Sequence, residues 1–238
     1  MFKLLSTANP KIQKGTKLGY LSFILHLAPA DLSGHNTCPK ATAGCKSACL
    51  NTAGRGGMFR RGESTNAIQK ARIRKTRYFY EDRVSFFNDL TRDITKGIAM
   101  AKKLGLKPVF RLNGTSDLSW EKYEVPNTGL NIFQIFPEVQ FYDYTKVLGR
   151  KAAYDNYFLI FSQADGNEAD VNRAIAQGMN VATVFDEVPQ EYKGRPVIDA
   201  DETDLRFLDP KGVIAGLKAK GRAKKDLSGF VIRIKEVA

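Results

Sequence analysis

Cysteine is scarce in this chain of 238 residues: there are three, all between positions 38 and 49. An odd count crowded into so short a stretch excludes a disulfide framework as the basis of the fold. No apolar run approaches the roughly eighteen residues of a membrane span. The opening stretch MFKLLSTANPKIQKGTKLGY has none long enough for a signal peptide. A soluble protein of the cytoplasm, with no membrane partner, is therefore expected. There is no internal repeat and no long linker. Acids are also in deficit, 25 against 37 basic residues, for a net charge of +12. Such an excess bears on solubility and anionic partners, not on fold.

Apolar residues make up 43% of the chain and aromatic residues 11%, enough for a core that needs no covalent staples. The charge is segregated. Residues 54–77, GRGGMFRRGESTNAIQKARIRKTR, hold eight basic side chains against Glu63 alone, and residues 211–225 hold six with no acid. Between them, DADETDLRFLD (199–209) carries five acids and one arginine. Basic walls and a local acidic spot are implied.

GYLSFILHLAP (19–29) reads as a buried strand, followed by the cysteine stretch. Ser64 is a candidate N-cap for a helix running to about Tyr80. A second helix is predicted over about 83–104, from the helical spacing of Val84, Phe87, Leu90, Ile94, Ile98 and Ala101, ending at Gly105. Short apolar strands with polar tips then recur in 107–117, 139–146, 157–168, 180–187, 195–204 and 212–221, with a helix over about 168–177 that stops at Gly178. Strands separated by helices or long crossovers imply a mainly parallel sheet covered on both faces. The expected architecture is α/β: an irregular or partial β/α (TIM-like) barrel with a cysteine-bearing loop after the first strand. One domain spans 1–238, with an N-terminal extension over 1–16 and a cysteine- and glycine-rich loop over 28–63. An open doubly wound sheet is the alternative.

Parallel barrels carry their sites at the carboxyl ends of strands. Those tips offer Arg111, Asn113 and Asp117, then Asp143 and Lys146, then Asp199 and Asp201, as candidate catalytic residues. Any one of them could equally cap a helix or make a turn. The carboxylates of Asp199, Asp201, Glu202 and Asp204 are candidates for holding Mg²⁺ or Mn²⁺ in phosphodiester cleavage.

Cys38, Cys45 and Cys49 stand at C-x6-C-x3-C spacing among Pro, Gly, Lys and Ser, a poor setting for core cysteines. A catalytic thiol would explain one of them; metal binding explains all three. A structural zinc needs a fourth ligand, which His35 could supply. A cubane iron–sulfur cluster held by three thiolates leaves one iron open. His26, in an apolar strand, reads as a core histidine.

Lys70, Arg74 and Arg77 are spaced i, i+4 and i+7, and so share one helix face. With Arg55, Arg60 and Arg61, and with Tyr78, Phe79 and Tyr80 beside them, they could track a phosphate backbone and offer stacking surfaces, as GRGG (54–57) could approach a phosphate closely. The bland reading is a solvated helix face.

LAPADLSGHNTCPKATAGCKSACLNTAGRG, ARIRKTRYF, FRLNGTSD, FYDYTK and VIDADETDLRFLDPKGVIAGLKAKG together resemble the tailed-phage proteins called gene-product-88-like, over about residues 17–230. The resemblance implies work inside an infected bacterial host. The plan of a three-cysteine loop after a first strand is similar, more distantly, to that of radical S-adenosylmethionine enzymes, which use C-x3-C-x2-C and hold a [4Fe–4S] cluster. The combined expectation is a phage [4Fe–4S] protein that binds DNA or RNA and is a candidate nuclease; a radical enzyme using S-adenosylmethionine and a non-catalytic redox-sensing or structural cluster protein are the alternatives.

Overall fold

The computed structural model describes residues 3–7, 14–150 and 154–234. Ten strands form one sheet: β1 (Leu5–Ser6), β2 (Tyr20–Leu25), β3 (Lys107–Arg111), β4 (Gln140–Thr145), β5 (Tyr157–Ser162), β6 (Val181–Phe185), β7 (Glu191–Tyr192), β8 (Arg195–Asp199), β9 (Ile214–Lys218) and β10 (Val231–Ile232). Their order is β1-β2-β3-β4-β5-β6-β9-β8-β7, with β10 also paired to β6. From β2 to β8 the pairings are parallel; β1 and β7 close the two ends antiparallel. The fold is α/β, as expected.

Seven strands fall where their Val-, Ile- and Phe-rich runs place them, and near-continuous apolar sequence is what a strand covered on both faces requires. β1, β7 and β10 are two residues each, too short for a period to show in sequence. β1 lies within the expected N-terminal extension, of which residues 1, 2 and 8–13 fall outside the described residues. The cysteines accordingly follow the second strand, not the first. β10 has a topological consequence. β5 pairs only with the start of β6 (Val181 and Ala182), and β10 takes up Val184 and Phe185 on the edge that β5 leaves free. The chain leading into β10 is thereby carried past the carboxyl end of β5.

The crossover from β2 to β3 holds the cysteine segment, with helix α1 (Ala43–Ser47), and then α2 (Ala67–Glu81) and α3 (Arg83–Lys103). Asn66, not Ser64, caps α2: its side chain accepts from the Gln69 N–H at 3.0 Å. Its amide group also donates to the carbonyls of Gly56 and Met58, which fixes the turn before the helix. Asp82 caps α3 through the Ser85 N–H, and Gly105 ends it at φ +66°. Phe87, Leu90, Ile94 and Ala101 are fully buried as their spacing predicts, whereas Val84 faces solvent. α4 (Ile132–Ile135) precedes β4, and α5 (Glu168–Ala176) lies between β5 and β6.

Alternation along β3, β4 and β5 divides the sheet between two cores. Phe110, Phe141 and Leu159 join the helices, with Phe79, Phe86, Phe87 and Trp120. Val109 and Tyr142 turn to the other face, where Leu205 and Phe207 cover them; Ile160, Ala182 and Ala215 continue that face toward β9. Segment 204–208, which follows β8 at the far side of the sheet, thus lies over β3 and β4. The helical face is tightest where α3 crosses β3. A Cβ on Gly97 would stand 3.0 Å from the Phe110 ring and 3.2 Å from Phe23. Gly97→Val is expected to cost about 1–3 kcal/mol by overpacking, read as a fall of roughly 2–10 °C in the thermal midpoint.

Candidate functional site

Each of the three cysteines is held by a different part of the fold. Cys38 lies in extended chain beside the loop after β3. Its Sγ donates to the Thr115 carbonyl at 3.8 Å, and the Asp117 N–H donates to the carbonyl of neighbouring Thr37 at 2.8 Å. Cys45 is inside α1, whose N-terminus is tied to Asp165, three residues beyond β5. The Asp165 carboxylate accepts from the Gly44 N–H at 3.1 Å, the Cys45 N–H at 3.2 Å and the Thr42 hydroxyl. Cys49 stands before a 3-10 turn (Leu50–Thr52), and its Sγ accepts from the Asn51 N–H at 3.5 Å. Arg72 of α2 holds that turn through the Asn51 side chain at 2.6 Å. The segment therefore lies across the carboxyl ends of β3, β4 and β5.

Burial pushes the Cys49 thiol up to about 11, with further upward pressure from Cys45 and Cys38. Burial likewise raises Cys38, and Asp117 and Cys45 add to it. The thiols thus share one electrostatic neighbourhood. Among the described residues, however, no group of three or more His, Cys, Asp or Glu side chains is arranged to hold a metal ion. His35, the expected fourth zinc ligand, is stacked on Tyr80 with ring centroids 4.2 Å apart. His26, just past β2, is held neutral: burial, then Arg72, Arg111 and Lys75, lowers it to about 3.

The expected catalytic set does not meet at one point. Arg111 turns to the face of Val109 and Tyr142, away from the helices, and pairs with Asp204 at 2.9 Å, where the hydroxyls of Tyr142 and Tyr144 also donate. Asn113 is spent in a buried network. Its N–H and side-chain amide donate to Asp143, and its carbonyl oxygen accepts from Ser116, the Leu118 N–H and Trp120. Asp143 accepts from Tyr157 as well, and burial lifts its carboxyl to about 7 against those donors. Asp117 accepts from the Lys146 N–H at 2.8 Å and from Arg150 at 3.0 Å. Asn113 and Asp143 thus anchor the loop after β3, whose Thr115 and Asp117 contact Cys38 and Thr37. Two of the set act on the thiols: Asp117 on Cys38, and Lys146, whose ammonium stands 3.1 Å from the Ser162 hydroxyl, on Cys49. The acidic tip is dispersed, since Asp201 pairs with Lys220 at 2.6 Å, Asp204 faces inward and Asp199 is exposed, accepting the Asp201 N–H. The carboxylate metal site expected at Asp199 and Asp201 is not formed among the described residues.

A family model described as Gene product 88 matches residues 3–234. The chain belongs to the gene product 88 family. No curated protein and no solved structure matches it. The likeness in plan to radical S-adenosylmethionine enzymes finds no support in these comparisons. Among the described residues of this gene product 88 chain, no helix is long and apolar enough to cross a membrane.

The basic residues of this family member behave as the helical spacing predicts. Lys70, Arg74 and Arg77 are exposed on one face of α2, and Arg55, Arg60 and Arg61 are exposed before it. None of the six has an ion-pair partner among the described residues. The neighbouring aromatics are not free to stack on bases. Phe79 is wholly buried, Tyr78 donates to Asp89, and Tyr80 covers His35. The GRGG glycines serve the chain's own packing, since a Cβ on Gly56 would meet the Asn51 carbonyl at 2.6 Å and one on Gly57 the Thr52 carbonyl at 2.1 Å.

Asp165 went unseen in sequence because QADGNE reads as a turn; a carboxylate acting at long range leaves no local pattern. Asp165→Ala removes that cap and is expected to cost about 0.5–2 kcal/mol, measured by denaturant unfolding. With its thiol protonated at neutral pH, Cys49 should react with iodoacetamide roughly two orders of magnitude more slowly than a free thiol. The rate, followed by mass spectrometry, should climb steadily with pH.

Proposed function

We propose that this member of the gene product 88 family binds a [4Fe–4S] cluster through Cys38, Cys45 and Cys49, and nucleic acid through the exposed basic face beside it. The observation that carries the first part is the three-sided fixing of the thiols in one neighbourhood at the strand ends. Thiolates suit iron and sulfide, and the donor set stops at three. A structural zinc needs a fourth protein ligand, whereas a cubane cluster needs none beyond the three thiolates. Bound there, the cluster would supply an iron with an open coordination position. The sheet, whose segment after β8 lies over β3 and β4, supports an irregular barrel with this site at its carboxyl mouth.

The roles of this chain's residues follow from their contacts. Asp117, Asp165 and Arg72 are positioning residues that fix the backbone around Cys38, Cys45 and Cys49. Lys146 offers a positive charge near the thiols, which favours their ionised form. The exposed arginines and lysines give sequence-independent attraction to phosphates. Asp199 and Asp201 carry no role in this reading: Asp201 is paired with Lys220, and Asp199 caps the Asp201 N–H.

Protein isolated without oxygen should be coloured and should contain about four iron and four sulfide per chain, and Cys45→Ser should lose most of both. Reconstitution should be slower at pH 6 than at pH 8, since Cys38 and Cys49 must give up protons. Colourless protein carrying zinc in their place would overturn the reading.

A further inference from the structure

The two basic stretches are far apart in sequence, yet the fold sets them on either side of the cysteine segment. The turn Leu50–Thr52 packs on residues 221–225. A Cβ on Gly221 would lie 3.6 Å from the Cα of Ala53, two residues before Arg55. Ala48, at the end of α1, shares a small core with Ala219, Ala223 and Val231. The pairing of β10 with the free part of β6 brings this about, since it draws the chain from 219 to 230 over α1. On the opposite flank, Asn66 and Gln69 of the α2 N-terminal turn hold the Gly56 carbonyl, so Arg55 is linked to the α2 face as well.

Arg222, Lys224 and Lys225 are exposed, with no ion pair among the described residues. The acid beside them, Asp226, is buried and accepts from the Val231 N–H and the Ser228 hydroxyl. Arg222 and Lys225 also line a cavity of about 490 Å³ against Gly44, Ser47 and Ala48 of the cysteine segment. Apolar side chains stand exposed within the same stretches: Leu50 is 55% exposed, Met58 69% and Leu227 89%.

We propose that Arg222, Lys224 and Lys225 form, with Arg55 and the α2 stripe of Lys70 and Arg74, one continuous binding surface for single-stranded nucleic acid that runs across the cysteine segment. The inference rests on the nucleic-acid part of the function proposed above and extends it to a second contact region. Unpaired cations on both flanks fit a phosphate backbone. Exposed aliphatic side chains beside them, Leu50, Met58 and Leu227, can cover the apolar faces of unstacked bases, which a duplex hides. Single strands are therefore favoured over duplexes, and both over a lipid surface.

The test is fluorescence anisotropy with a labelled oligonucleotide across a salt series, using the full chain. Wild type should bind the single strand more tightly than the matching duplex. The triple variant Arg222→Glu, Lys224→Glu, Lys225→Glu should weaken binding at least tenfold and flatten the slope of log Kd against log salt by about 2, from roughly 0.7 per lost contact. The milder Arg222→Gln, Lys225→Gln pair should show the same trend with an unchanged thermal midpoint, which separates lost contacts from misfolding. Lys70→Glu with Arg74→Glu is the control for the underlying reading. If wild type binds and only this α2 variant weakens it, the second region is refuted and the first stands. If wild type binds no oligonucleotide at low salt, both fall. Equal affinity for duplex, or tighter binding to anionic phospholipid vesicles, would refute the single-strand assignment.

Discussion

Backbone groups at the carboxyl end of a parallel strand lose their ladder partners, and those that become buried must find others. In this protein aspartates meet that need. Asp143, on β4, takes the Asn113 N–H; Asp117 takes the Lys146 N–H; Asp165 takes the N–H groups of Gly44 and Cys45. Asp143 joins the loop after β3 to strand β4, and Asp117 and Asp165 each join one loop to another, so the chain at this end forms one hydrogen-bonded body. A loop tied at a single point would fray; the cysteine segment is tied through residues 37, 44, 45 and 51 to three separate elements.

That arrangement separates the polar residues by task. Arg111, Asn113, Asp117, Asp143 and Asp204 are committed to one another or to Arg150, Tyr142, Tyr144 and Tyr157, largely out of water. Leaving any one of these buried partners unpaired carries a cost of about 1–3 kcal/mol. They are scaffold, and the thiols are what the scaffold presents. Burial keeps Cys38 and Cys49 protonated, so a metal centre there would form by displacing protons, and the nearby Lys146 ammonium eases that loss.

The basic residues divide in a similar way. Arg72 and Lys75 point inward from α2, to the Asn51 side chain and the Leu4 carbonyl, while Lys70, Arg74 and Arg77 face outward from the same helix. One charged run therefore serves both packing and surface. Its outward half is the part free to meet an anionic partner.

The sequence by itself determined the α/β class, seven of the strands, α2, α3 and α5 to within a few residues, the α2 stripe and the crowding of the thiols, because these are local matters of period, turn chemistry and spacing. It could not show that Asp165 holds Cys45, that Arg72 turns inward while Arg74 turns out, that Tyr80 covers His35, or that β10 brings residues 220–225 over the cysteine helix. Those contacts join residues from 21 to about 180 positions apart, and a side chain's partner at that range is set by tertiary packing rather than local pattern. Tertiary structure alone decided that the polar strand tips hold one another and that the cysteine segment is tied to the loops beside them.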